Sequence, residues 1–265
     1  MKAAAAMKPH FVLIHGISGG AWCWYKIKSL LENSGYRVSC IDLKCSGIDP
    51  SDANKILCFD DYNKPLMDFM AALPENDQVI LVGHSAGGLS VTAATHKFAE
   101  KISLAVYVAA TMLQHGYMTP QDLKDGVPDL SDFGDAFDLE FESGKDQPPT
   151  SALLKKELQR KIAHHMSPDE DSTLAAMLSR PGPIQALLSA KFAEEDEHVT
   201  CEVPRIYIKT TYDRVIKPEQ QDAMIKRWPP SEVYALESDH SPFFSTPFPL
   251  FDLLVKATTS PAAAM

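Results

Sequence analysis

The stretch Gln78-Val-Ile-Leu-Val-Gly-His-Ser-Ala-Gly-Gly-Leu-Ser90 constrains this chain more than any other: an apolar run, then Gly-x-Ser-x-Gly, then a helix-compatible segment. A strand that enters a helix through so tight a turn holds its central residue, Ser85, in a strained conformation, which only small neighbours such as Gly83 and Gly87 leave room for. The turn lifts the serine hydroxyl clear of a sheet. A second stretch, Gly16-Ile17-Ser18-Gly19-Gly20, fits the same five-residue pattern and also follows an apolar run, His10 to His15. The pattern alone therefore does not decide between Ser85 and Ser18.

The rest of the chain supplies the rhythm such an elbow needs. His10 to His15, Arg37 to Leu43, Gln78 to Val82 and Ile102 to Ala110 read as strands, separated by helical spacings over Trp22–Leu31, Phe59–Leu73 and Gly87–Ala99. Strand and helix in alternation predict an α/β fold around a mainly parallel sheet. From Thr111 to about Glu197 the rhythm breaks. No buried strand is evident there; Pro- and Asp-rich stretches alternate with helical segments such as Thr150–Met166 and Asp169–Leu178. The pattern resumes with a strand at Pro204–Thr210, a helix at Pro218–Trp228, a strand at Glu232–Leu236 and a closing helix at Phe248–Thr258. The expected organisation is a discontinuous core, 1–110 and 198–265, with an inserted, mostly helical cap at 111–197.

Composition narrows the function. A formal charge of −10 over 265 residues, with no basic patch, argues against nucleic-acid or anionic-membrane surfaces. Cys23, Cys40, Cys45, Cys58 and Cys201 are odd in number and form no Cys-x-x-Cys pair, so neither a disulfide framework nor a zinc site is expected. His164-His165 lacks a ligand-spaced partner and reads as a surface helix rather than a metal site. The N-terminal Ala3–Ala6 run is too short for a signal peptide and no run approaches a membrane span, so a cytosolic protein is expected. Both termini read as frayed tails.

A serine hydroxyl needs a base within hydrogen-bond reach, and the base needs a third group to fix its tautomer. On an elbow of this kind they follow in the order serine, acid, histidine, at the ends of later strands. Asp213 stands just beyond the strand ending at Thr210, and His240 just beyond the strand ending at Leu236. Asp239 adjoins His240 and should point away from it; Asp42 precedes the elbow. Chain order does not exclude Ser18, but the oxyanion hole does. It needs one backbone N–H after the nucleophile and one from an earlier strand-to-helix loop. For Ser85 these are Ala86 and Ile17; for Ser18 no earlier strand exists. His15 and His84 are expected to hydrogen-bond loops rather than move protons.

Together, His15-Gly16-Ile-Ser-Gly-Gly-Ala-Trp-Cys-Trp-Tyr25, Asp42 to Asp49, Val79 to Gly88 and Ser238-Asp-His240 resemble the plant methylesterase and hydroxynitrile lyase family of α/β-hydrolases. The likeness spans nearly the whole chain. Asp125 to Ser131 and Arg227-Trp-Pro-Pro-Ser231 resemble most the esterases of methyl indole-3-acetate. The resemblance implies a cofactor-free serine hydrolase of small methyl esters, possible substrates including methyl jasmonate and methyl salicylate, with the cap closing an apolar pocket. It also implies that lyases carry Thr or Asn where this chain has Gly16, and in one branch Lys where it has Ser241. Both positions read as esterase. Gly16 leaves space for an ester carbonyl to approach the Ile17 N–H, and Gly16, His84, Met112, Leu139, Phe141 and Met166 are the expected pocket residues. Three alternatives stay open: an alkaloid-pathway esterase whose product loses carbon dioxide, a hydroxynitrile lyase, and a non-catalytic receptor for an apolar small molecule. A homodimer is left open as well.

Overall fold

The computed structural model describes residues 8–144, 146–192 and 203–260. The Ala3–Ala6 run, the residues after Ser260, Cys201 and the expected 197/198 boundary lie outside them. In chain order the strands are β1 (His10–Ile14), β2 (Arg37–Ile41), β3 (Val79–His84), β4 (Ile102–Val108), β5 (Phe137–Glu140), β6 (Ser151–Leu154), β7 (Arg205–Thr210) and β8 (Glu232–Leu236). The helices are α1 (Tyr25–Asn33), α2 (Phe59–Ala72), α3 (Gly87–Lys97), α4 (Pro120–Gly126), α5 (Lys156–Ala163), α6 (Asp169–Leu178), α7 (Ile184–Leu188), α8 (Pro218–Arg227), α9 (Pro242–Ser245) and α10 (Pro247–Ala257).

Six strands form one sheet in the order β2-β1-β3-β4-β7-β8, every pairing parallel. Alternation along the strands divides the core into two layers. Val12, Ile14, Leu81, Tyr107 and Tyr207 pack against α2, α3 and α8 through Tyr62, Leu66, Leu89 and Met224. Phe11, Leu13, Val82, Val106 and Ile208 pack against α1 and α10 through Ile27, Leu31, Leu250 and Leu254. Strands apolar on both faces are what a parallel sheet covered by helices requires. The register pairs Ile14 with Gly83 and Thr210 with Leu236. Loops leaving β1 and β3, and those leaving β7 and β8, therefore start level with each other at one end of the sheet.

The segment between β4 and β7 is mostly helical, as expected, but also carries a pair of strands that the sequence reading did not anticipate. β5 and β6 form an antiparallel hairpin, with Phe137 opposite Leu154 and Glu140 opposite Ser151. The helix expected over Thr150–Met166 is thus strand β6 followed by the shorter α5. Ser151-Ala-Leu-Leu154 satisfies either periodicity, and only the partner strand decides it. The helix expected at Asp169–Leu178 is α6. Trp22–Leu31 divides into a 3-10 turn, Ala21–Trp24, and α1.

Candidate active site

Ser85 sits at φ 53°, in the left-handed region that side chains rarely occupy, between β3 and α3. The elbow admits this because its glycines touch backbone. A Cβ on Gly87 would lie 2.5 Å from the His15 carbonyl oxygen, and one on Gly83 would lie 2.7 Å from that of Gly87. Ser85 is buried and borders a cavity of about 170 Å³, shared with Gly16, Ile17, Ala86, His84 and His240.

The loop after β1 is a tight turn in which the Gly19 N–H donates to the Gly16 carbonyl, 3.2 Å, with Ser18 at φ 63°. Buried His15 braces it: its Nδ1–H donates to the Gly16 carbonyl at 2.7 Å, while Nε2 accepts from the Leu43 N–H at 3.1 Å. Burial lowers the His15 pKa, so the ring stays neutral in this tautomer. Gly16 has no room for a side chain, since its Cβ would stand 2.7 Å from that of Ser85. Neither the Ile17 nor the Ala86 N–H donates to another group among the described residues, and Ala86 caps the N-terminus of α3. Two free N–H groups, one backed by a helix dipole, suit a developing oxyanion.

Beyond β7 and β8, His240 Nδ1 donates to Asp213 Oδ2 at 2.8 Å, with both side chains buried. Asp213 Oδ2 also accepts from Thr210 Oγ1 at 2.9 Å and from Gln221 Nε2 at 3.4 Å. Its Oδ1 accepts from the N–H groups of Val215, 2.8 Å, and Ile216, 3.1 Å. So many donors suit a carboxylate, and the bond to Nδ1 leaves His240 Nε2 as an acceptor. No hydrogen bond joins Nε2 to Ser85 Oγ among the described residues, though both side chains line the same cavity.

His84 lines the cavity yet faces a different duty. Its Nε2–H donates to the His240 carbonyl at 2.7 Å, and its ring lies 4.6 Å from that of His240. Burial, with His240 beside it, holds its pKa well below the usual range, so it remains a neutral donor. Asp239 points away from His240 Nδ1, accepting from the Met166 N–H, Ser167 Oγ and the Ser241 N–H at 2.8, 2.9 and 3.0 Å.

Four expected pocket residues lie elsewhere. Leu139, Phe141 and Met166 are 44, 40 and 42% exposed and do not border the cavity. Phe137, earlier on β5, lines it instead, and beside Met166 it is Ala163 and His164 that do so. Met112 is fully buried in the core, its N–H 3.3 Å from Met224 Sδ. The remaining walls come from Trp22, Leu89, Tyr117, Val127, Leu130, Leu187 and Phe244. Sequence reading missed these, as it missed Thr210 and Gln221; which side of a short helix faces a cavity is set by tertiary packing. His164 is partly buried and lines the cavity rather than lying on an open surface, and burial pushes its pKa down to about 4.

A parallel sheet carrying a strained serine, a buried Asp–His pair and two free N–H groups defines an α/β hydrolase. Residues 9–247 match the model of the alpha/beta hydrolase fold. Methylesterase 17 of Arabidopsis thaliana is 61% identical over 254 residues, 95% of this chain and 92% of that protein. The crystal structure of methylesterase protein MES16 from Arabidopsis is 41% identical, with a TM-score of 0.81 over 95% of this chain and 99% of that one. Polyneuridine aldehyde esterase is 33% identical, with a TM-score of 0.84 over 95% and 99% of the two chains. This chain belongs to the plant methylesterase family of α/β hydrolases and is a carboxylic ester hydrolase.

Proposed function

We propose that the chain hydrolyses methyl esters of small, largely apolar carboxylic acids through an acyl-enzyme on Ser85. The buried Asp213–His240 pair, with His240 and Ser85 lining one apolar cavity, carries this reading. His240 Nε2 takes the Ser85 proton as Oγ attacks the ester carbonyl, while Asp213 holds the imidazole in its tautomer and balances its charge. The N–H groups of Ile17 and Ala86 receive the oxyanion. His240 then protonates the departing methoxide, and methanol leaves. Water, deprotonated by His240, attacks the acyl group; its collapse releases the acid and returns the proton to Ser85.

An aromatic acetic ester such as methyl indole-3-acetate is the favoured substrate, because the cavity walls are aromatic and aliphatic and the chain resembles esterases of that compound. On this reading the enzyme serves plant hormone ester metabolism, we take its compartment to be the cytosol, and the segment between β4 and β7 acts as its cap. No helix among the described residues is long and apolar enough to cross a membrane. Methanol release from methyl indole-3-acetate, methyl jasmonate, methyl salicylate and a β-aldehyde methyl ester, beside cyanide release from mandelonitrile, tests the reading. We expect methanol, fastest from the indole ester, and no cyanide. Cyanide release, or ligand binding without methanol from any ester, would contradict it.

A further inference from the structure

The turn that offers the Ile17 N–H is held from two sides. His15 braces it from the core, as described. On the other side, the segment after α6 lies directly against it: the Arg180 N–H donates to the Ser18 carbonyl at 3.2 Å. Two residues on, Gly182 exchanges a pair of backbone hydrogen bonds with Ala152 of β6, 2.8 and 2.9 Å. Gly182 approaches Ile17 so closely that a Cβ there would stand 2.2 Å from Ile17 Cγ1 and 3.2 Å from the Ser18 N–H nitrogen. Cγ1 is bonded directly to the branched Cβ of the isoleucine, whose two γ carbons restrict χ1, so few rotamers are open to relieve the contact. The Arg180 guanidinium extends the contact by donating to the carbonyls of Gly47, Asp49 and Ser51, while the Gly47 N–H donates to the Gly19 carbonyl at 3.3 Å.

We infer that residues 180–182, through the Arg180 N–H and the bare Cα of Gly182, position the Ile17 N–H for the oxyanion, coupling the inserted segment to catalysis. Gly182 is a positioning residue in this sense: it touches no reacting atom but sets how far the Ile17 peptide is pushed toward Ser85. The inference rests on the esterase reading above. A displacement of an ångström or less matters because the oxyanion is held only at hydrogen-bond distance, and loss of one such donor costs about 10²–10³ in turnover.

The test compares Gly182→Ala, Ile17→Ala, the double variant and Ser85→Ala in methyl ester hydrolysis, with binding of a trifluoromethyl ketone analogue and of the product acid. The ketone forms a charged hemiketal that needs the oxyanion donors; the acid does not. Gly182→Ala is expected to lower kcat by about 10- to 100-fold with KM changed by less than about threefold, and to weaken the ketone by the same factor as kcat. Acid binding stays put. In the Ile17→Ala background, where Cγ1 is gone, the same substitution costs less than about threefold. If Gly182→Ala alone does not fold, the double variant must fold and retain the turnover of Ile17→Ala. A wild-type protein whose turnover is lost in Ser85→Ala but kept within twofold in Gly182→Ala would overturn this inference alone, as would equal costs in both backgrounds. Esterase activity that survives Ser85→Ala would overturn the underlying reading, and this inference with it.

Discussion

Asp213 can be replaced by an isostere that keeps its volume and loses its charge. In Asp213→Asn the amide must turn one N–H toward donors that the carboxylate accepts from, the N–H groups of Val215 and Ile216 or the Nδ1–H of His240. The imidazole then loses its preferred tautomer, and kcat should fall about 10³–10⁴-fold in steady-state methanol release, with the fold intact by circular dichroism. Ser85→Ala should lose about 10⁶, whereas Ser18→Ala should keep most of the activity, since the Ser18 hydroxyl only meets the Ala152 carbonyl at 3.5 Å. That Asp213 and His240 meet, and that His240 shares a cavity with Ser85, was legible from sequence because each of the three residues closely follows the end of a strand. Leu139, Phe141, Met166 and Met112 were misplaced for the converse reason. Apolar character shows that a side chain seeks burial, not which of two apolar faces receives it.

At the level of elements, the sheet and its flanking helices were legible, and between β4 and β7 α6 was too, but the β5–β6 hairpin was not. Long parallel strands have a continuous apolar signature, while β5 and β6 are four residues each and depend on one another. Besides apolar packing of Tyr117 and Leu187 on the core, polar long-range contacts fix the segment. Arg227 of α8 donates to Asp125, 2.8 Å, and Asp122, 2.6 Å, on α4, and Gln220 Nε2 donates to the carbonyls of Lys124 and Val127 at 3.0 and 2.8 Å. Asp239 fastens Met166 and Ser167 beside His240. Arg227→Met leaves two largely buried carboxylates without their cation, and a loss of about 1–3 kcal/mol is expected, lowering Tm by several degrees in a thermal melt. Arg227 bonds to Asp122 and Asp125 and not to Ser85, Asp213 or His240, so kcat at 25 °C should change by less than about threefold.

Across the whole molecule, burial of neutral histidines links stability to pH. His15 and His84 have lowered pKa values, and His10 and His164 are each pushed down to about 4, burial being the main cause in all four. Below about 6.5 the unfolded chain binds protons that the folded chain refuses. Stability is therefore complete above that pH and declines as pH falls from 6.5 toward 4, His10 and His164 each adding up to about 1.4 kcal/mol per pH unit to the slope. Urea unfolding at pH 7.5, 6 and 5 should show midpoints falling in that order; a constant midpoint would contradict neutral burial. The most direct test of the account as a whole is covalent: react the protein with a fluorophosphonate and locate the adduct by peptide mass spectrometry. A single phosphonylated residue, Ser85, with labelling slowed at least 100-fold in His240→Ala, is the predicted result; an adduct on Ser18, or labelling indifferent to His240, would contradict it.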